Sequence, residues 1–505
     1  MAVEIYDLMV IGGGINGAGI ARDAAGRGLS VMLCEKDDLA AHTSSASTKL
    51  IHGGLRYLEY YEFGLVRKAL QEREVLLKAA PHIIWPLRFV MPHDKNQRPE
   101  WMIRCGLFLY DHLARREVLP GSETVSFASH PAGRPIKPAF KRGFVYSDGW
   151  VQDARLVVLN AKDAAERGAR VQTRTACVGA RRDGEHWLCE LQAEDGSRSQ
   201  VRARALVNAA GPWVESLIKD TLSLPSSKSI RLVKGSHIVV KKLFDHPYAY
   251  IFQNPDKRII FAIPYEQDFT LIGTTDVEYR GDPAKVAIDD QEVAYLCQMS
   301  NRYFQTQISP ADVLSTYSGV RPLLDDEASN AASVTRDYSL EMDLDGAPLL
   351  SVFGGKITTF RKLAEEAVDK LAPLLGNSKT TWTADAPLPG GDMPGADFER
   401  FLQGLRQQYP WLPEALARRW ARAYGTRVAK LIGQAAGLAQ LGAELLPGLY
   451  EAELRYLVDE EWATRSEDIL WRRSKLKLHL PAHAAEVIDA WLLSQAAARE
   501  QRLTA

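Results

Sequence analysis

Two hydrophobic rhythms alternate along much of this chain. Short uninterrupted apolar runs mark strands covered on both faces, and stretches with apolar residues every three or four positions mark helices laid against them. The first run, Asp7 to Ile11 (DLMVI), meets Gly12, Gly14 and Gly17. Helical spacing follows from Asn16 to Arg27, with Gly28 at its stop, and Ser30 to Leu33 forms a second apolar strand that ends at Glu35. Two later runs repeat the design. Ala205 to Ala209 stops at Gly211-Pro212-Trp213, and Leu349 to Phe353 runs into Gly354-Gly355-Lys356 before a helical segment, Thr358 to Leu371, that opens on N-cap residues. Between them the rhythm shifts toward alternation, in runs such as Arg258 to Pro264 and Thr270 to Thr274, which predicts an antiparallel sheet. Pro387 to Gly395 (PLPGGDMPG) breaks the pattern, and from Phe398 onward helical spacing with many alanines and leucines predicts a helical region.

Composition narrows the class. The chain has 505 residues, 46% hydrophobic and 25% charged, as expected of a globular protein with a large core. A formal net charge of −1 excludes a global basic field for nucleic acid. Five cysteines without a C-x-x-C pair suggest neither a metal site nor a disulfide framework, and reduced thiols in the cytoplasm are the simplest reading. No run approaches the ~20 apolar residues of a membrane-crossing helix. Two basic, aromatic stretches remain as candidates for peripheral membrane contact: Trp101 to Arg116 (WMIRCGLFLYDHLARR), and Trp471-Arg472-Arg473 with Lys475 and Lys477. Each reads equally as a core helix or an ordinary charged face.

The opening strand, glycines and helix carry the most specific chemistry. In a G-x-G-x-x-G turn, Gly12 permits the tight turn, Gly14 lets the backbone approach a pyrophosphate, and Gly17 lets helix and strand pack closely. The helix N-terminus supplies N–H groups to the pyrophosphate, and Glu35 accepts the hydroxyls of an adenosine ribose. An acid there argues against a 2′-phosphate. The hydroxyl-dense Thr43 to Thr48 (TSSAST), with His52-Gly53-Gly54 after it, suits a ribityl chain and flavin ring, although a solvated loop has the same composition. A glycine turn before a helix, at Gly355 and Lys356, suits the end of a flavin that gains negative charge on reduction. Three distant strand ends, near 12, 211 and 355, therefore point to FAD rather than NAD.

The predicted fold is α/β (α+β overall). It has a Rossmann-like FAD-binding domain (1–75, 145–225 and 340–385), an inserted antiparallel-sheet substrate domain (76–144 and 226–339), a linker (386–396) and a C-terminal helical domain (397–505).

The stretches GGGINGAGIARDAAGRGL, TSSASTKLIHGGLRYLE, SDGWVQDARLV, NAAGPWV, KGSHIVV, IGTTDVEYRGDP, TYSGVRPL, TRDYSL and FGGKITTFRKLAE resemble the aerobic, FAD-dependent glycerol-3-phosphate dehydrogenases. EDILWRRSKLKLHL is similar to that family's helical C-terminal domain. The resemblance implies oxidation of sn-glycerol 3-phosphate to dihydroxyacetone phosphate by noncovalent FAD. It also implies electron delivery to ubiquinone or menaquinone, from a peripheral position on the cytoplasmic face of the inner membrane. The oligomeric state is left open, a homodimer included. Matched residue by residue, the flavin contacts fall on Gly12, Gly14, Asn16, Gly17, Glu35, Thr43, Ser44, Ser45, Ser47, Gly53, Gly54, Gly211, Gly355 and Thr359. The substrate pocket falls on Arg56, Tyr57, His237, Thr274, Arg321, Arg336 and Lys356.

The residue types suit that chemistry. Phosphate recognition favours the planar donors of arginine, here Arg56, Arg321 and Arg336, with Tyr57 adding a phenolic hydrogen bond. Arginine is a poor base, so His237 is the expected proton acceptor, with Arg321 and Lys356 stabilising developing charge. Other readings stay open: an oxidase that reduces O₂, a D-amino or 2-hydroxy acid oxidase, and a redox-inactive carrier of prenylated partners on the same scaffold.

Overall fold

The computed structural model describes residues 4–94, 97–226, 228–254, 256, 258–324 and 337–504. They form two large sheets and a helical C-terminal region. In the first sheet, of eight strands, Leu349–Phe353, Arg198–Asn208, Ile5–Ile11, Val31–Cys34 and Arg170–Gln172 lie side by side in parallel. Leu8 stands opposite both Ala205 and Val31, which brings the ends of the first and third predicted apolar runs together.

Both faces of this sheet are covered, which explains the unbroken apolar runs. Leu8 and Val10 pack toward helices Ile15–Gly26, Asp153–Glu166 and Phe360–Leu371, while Met9 and Ile11 enter a separate cluster with Met32, Trp187 and Leu217. The helix predicted from Thr358 begins at Phe360, with Thr359 as its N-cap.

The second sheet has ten strands and is antiparallel except where Ala249–Gln253 runs parallel to Ile84–His93. Its longest ribbon pairs Ile230–Lys241 with Val313–Leu324. Residue 145 falls inside strand Arg142–Val151, which pairs along its length with Ile84–His93 and also with Leu50–Ile51. The second sheet thus begins earlier and ends later in sequence than its alternating runs suggest.

The C-terminal region packs helices Phe398–Gln408, Glu414–Tyr424, Glu451–Glu461 and Ala484–Thr504 around Trp420, Leu454 and Ile469. A two-stranded ribbon, Glu444–Leu446 with Leu449–Tyr450, interrupts the expected helices.

The basic cluster at Trp471 is not an exposed face. Arg473 reaches Asp38 with both terminal nitrogens (2.6 and 2.7 Å), and Arg472 bridges Asp38 and Asp468 at 2.6 Å each. All four groups are buried, because carboxylates more than 400 residues upstream or on the same turn neutralise the arginines. This contact joins the C-terminal region to the loop just past Glu35.

Candidate functional site

The strand ends meet at a cavity of about 300 Å³ lined by Gly12, Gly14, Asn16, Glu35, Thr43, Ser44, Gly211 and Gly355. The close approach is possible only because side chains are missing. A Cβ on Gly12, whose φ is +112°, would lie 2.5 Å from the Ala209 carbonyl oxygen, and one on Gly17 would lie 1.9 Å from that of Gly12. Gly17 sets the helix against the strand rather than facing the cavity.

Glu35 does structural work here as well. Its two oxygens accept the amides of Gly13 (2.6 Å) and Asp37 (2.9 Å), which fixes the glycine turn from behind. Burial raises its pKa, and those two amides oppose the rise. Each oxygen keeps a lone pair for a ligand hydroxyl. Asp37 and His42 lie beside it, but they hold each other at 2.7 Å.

The hydroxyls of the 43–48 loop are largely spent on its shape. Ser44 accepts the Ile15 amide at 3.0 Å and so caps the fingerprint helix. Thr43 donates to the Val320 carbonyl (2.8 Å), Ser45 to that of His42, and Ser47 to Asp153 (2.8 Å). Ser45 faces away from the cavity, toward a separate one.

A second cavity of about 320 Å³ adjoins the first, sharing Thr43, Ser44, Gly354 and Gly355 as walls. It gathers Ser47, Gly53, Gly54, Arg56, Tyr57, His237, Thr274, Arg321, Lys356 and Thr359. Arg336 lies outside the described residues. Lys356 sits over the Tyr57 ring, 4.1 Å from its centroid. Arg321 donates to Asp276 and, at 3.3 Å, to the Thr274 hydroxyl. Arg56 is half-buried and has no ion-pair partner among the described residues.

His237 is 1% exposed and stacks on Tyr317, with centroids 4.6 Å apart and planes 17° from parallel. Its Nε2 is 3.0 Å from the Thr48 hydroxyl, while Nδ1 is buried without a partner among the described residues. Burial, reinforced by Lys49 and Arg321, holds its pKa well below 6.5, so the ring is neutral and able to accept a proton.

Several polar residues at this site escaped the sequence reading. Asp276 sits in IGTTDVEYRGDP, where an acid two residues after Thr274 was the available signal. Tyr110 and Asp148 both engage the Gly53 amide (2.8 and 3.3 Å), and Arg73 neutralises Asp148 at 2.7 Å. Nothing local marks that network, because its members lie on separate elements.

The donor set suits an FAD-sized ligand. Asn16, in the wall of the first cavity, donates to the Gly354 carbonyl at 3.1 Å, yet its Oδ1 is buried without a partner among the described residues. A hydroxyl-rich dinucleotide chain would supply the donor that this oxygen lacks. Beside it, a Cβ on Gly355 would lie 2.8 Å from Asn16 Nδ2, so the turn leaves no room for a side chain.

Comparison with known proteins agrees with this geometry. Residues 7–361 match the family described as FAD dependent oxidoreductase, and residues 381–496 match the C-terminal domain of alpha-glycerophosphate oxidase. A glycerol-3-phosphate dehydrogenase of Pseudomonas aeruginosa is 58% identical, over 97% of this chain and 96% of its own. A D-erythritol 1-phosphate dehydrogenase of Brucella abortus is 55% identical, over 97% and 98%. Among solved structures, the glycerol-3-phosphate dehydrogenase of Bacillus halodurans complexed with FAD superposes with a TM-score of 0.78 at 29% identity, covering 97% of this chain and 90% of that one.

Proposed function

Since the chain belongs to the FAD-dependent oxidoreductase family and carries the C-terminal domain of the alpha-glycerophosphate oxidases, we propose that it oxidises sn-glycerol 3-phosphate to dihydroxyacetone phosphate and passes the electrons to a membrane quinone. The observation that carries the substrate assignment is Arg56. A half-buried guanidinium without a carboxylate partner among the described residues, opening on the cavity that Arg321 and Lys356 also line, suits an anion.

FAD, held by the strand-end glycines, Asn16 and Glu35, would supply the hydride acceptor for C2 of the substrate. The chain's own residues do the rest. Arg56 and Arg321 hold the phosphate, and Asp276 and Thr274 fix the plane of Arg321. His237 takes the C2 hydroxyl proton at its unpartnered Nδ1, with Thr48 and Tyr317 keeping the ring in place. Lys356, held over Tyr57, offsets negative charge that develops during transfer.

The Brucella relative supports a second substrate, a four-carbon polyol phosphate. It carries the same phosphate and secondary alcohol, so the phosphate clamp serves both. Anaerobic bleaching of the purified yellow protein tests the reading. sn-Glycerol 3-phosphate reduces the flavin and glycerol does not, and the ratio of kcat/KM for the two polyol phosphates ranks them. If neither phosphate bleaches the flavin, the assignment is overturned. Turnover with a quinone analogue, set against peroxide yield in air, tests the acceptor.

A membrane position is supported by helix Glu100–His112. It buries Leu107 and Tyr110 but leaves Trp101 (65%) and Phe108 (61%) exposed, with Tyr61 (80%) on a neighbouring turn. Exposed aromatics of this size beside Arg98 and Arg104 suit insertion at a lipid interface. No helix among the described residues is long and apolar enough to cross a membrane.

A further inference from the structure

Behind the loop that walls the flavin-side cavity lies a separate cavity of about 290 Å³. It is bounded by the 41–49 loop, by Thr316 to Val320 of the long ribbon, and by the C-terminal turn carrying Trp471, Arg472 and Lys475. Thr43 and Ala46 face both this cavity and the substrate side, so one layer of chain separates them. Its size is at the lower end of the ~300–1,000 Å³ usual for ligand pockets.

Three cations line it, and two are accounted for. Lys49 pairs with Asp153 at 2.8 Å, and Arg472 pairs with Asp38 and Asp468. Lys475 is different. It is 9% exposed, its ammonium donates to the Trp471 carbonyl, and no carboxylate lies within ion-pair distance of it among the described residues. An ammonium has three donors, so two remain.

The charged groups around Lys475 do not neutralise it. Asp153 is committed to Lys49 and the Ser47 hydroxyl, and Glu266 accepts from Gln152 at 2.8 Å. Glu467, at the rim, is exposed and bound to Arg472. Burial, with Lys49 and Arg472 against Asp153 and Glu266, brings the Lys475 pKa down to about 7. A buried ammonium facing a cavity without a counter-charge is unfavourable, and an anion placed there relieves it.

We propose that this cavity is a second anion site, distinct from the catalytic one, which takes a small phosphate-bearing molecule with Lys475 as its principal contact. Trp471, Tyr265 and Tyr317 form the walls for the rest of the ligand. Because Thr43 and Ala46 belong to both cavities, occupancy acts on the flavin's wall.

The test uses FAD-loaded protein carrying Arg321→Gln, which weakens phosphate binding at the catalytic cavity. Inorganic phosphate is titrated against tryptophan emission, with Trp471→Phe as the blank. The expected result is a saturable, Trp471-dependent change whose half-saturation rises at least tenfold in Lys475→Gln and is retained in Lys475→Arg. A response identical in Lys475→Gln, or no Trp471-dependent response in the Arg321→Gln parent, overturns the proposal. If the Lys475 variants lose FAD through misfolding, sulfate titration of the parent decides. Binding must keep Lys475 protonated, so with sulfate, whose charge is the same at pH 8 and pH 6, half-saturation must fall between those values, and a rise rejects the site.

Discussion

Arg321 is held from one side by Asp276 and from the other by the Thr274 hydroxyl at 3.3 Å, so its guanidinium plane is set before substrate arrives. Lysine carries the charge but not the planar fork, and an ammonium that bonds Asp276 and Thr274 has one donor left, so it cannot hold a phosphate in bidentate fashion. Arg321→Lys is therefore expected to cost about 2–3 kcal/mol in kcat/KM, roughly 30–150-fold. Steady-state kinetics with sn-glycerol 3-phosphate check this. An unchanged kcat/KM removes Arg321 from the phosphate clamp.

His237 makes a prediction in pH. Its pKa is depressed well below 6.5 by burial, so it is deprotonated and ready as a base throughout the neutral range. The kcat/KM profile should be flat from pH 6.5 to 8 and fall only at more acidic pH. Replacing His237 with Gln should abolish that acid limb and slow single-turnover flavin reduction by ~10²–10⁴. Retention of both rate and limb would assign the base elsewhere.

His82 bears on stability instead. It is fully buried, and burial, then Arg155 and Arg422, push its pKa down to about 3 against a weaker opposing contact with the Pro389 backbone. A folded-state value below the unfolded one means that the unfolded chain binds the extra proton. The stability is complete above pH 6.5 and is lost as pH falls from 6.5 toward 3, at about 1.4 kcal/mol per unit. Urea denaturation of His82→Gln between pH 4.5 and 7.5 should show a shallower acid slope than the parent.

Gly17→Ala places a methyl group 1.9 Å from the Gly12 carbonyl oxygen, in backbone that cannot yield without opening the turn. The expected product is folded but depleted in FAD, with flavin content after gel filtration as the measurement. Full occupancy would show that the helix shifts freely.

Trp101→Ser combined with Phe108→Ser removes two exposed aromatics from the face assigned to lipid. Each buried aromatic side chain is worth about 1.5–3 kcal/mol, so partition to anionic phospholipid vesicles should fall by more than tenfold in the double variant. Flavin reduction by substrate in solution should be unchanged. Equal vesicle binding would move the lipid contact to another surface.

The strand ends of the nucleotide site were legible because each couples a local apolar run to a glycine turn. The run predicted at Leu349 to Phe353 is the observed strand, residue for residue. What sequence could not supply was pairing across distance. The Arg321–Asp276 contact depends on ribbons that meet only in three dimensions, and the parallel pairing of Ala249 with Phe89 has no local mark. Charge was misleading for the same reason. WRRSK reads as a surface cluster until Asp38, brought from the other end of the chain, is placed against it. The loop serines were legible as a group but not in their bonds: Ser44 caps the helix at Ile15, Ser45 bonds the His42 carbonyl, and Ser47 reaches Asp153.

The parallel ladder places Arg198–Asn208 between the fingerprint strand and Leu349–Phe353. On the ribosome, the fingerprint strand emerges first, meets Val31–Cys34 soon after, and must wait about 200 residues for its neighbour on the other side. The neighbour's outer edge then stays unpaired until residue 353 has been made. Gly355, a wall of both cavities, arrives only after that. Nascent chains shorter than about 350 residues therefore expose an apolar parallel edge and lack a finished nucleotide cavity. Cofactor capture is a late event in synthesis, and truncated products of this chain are aggregation-prone by construction.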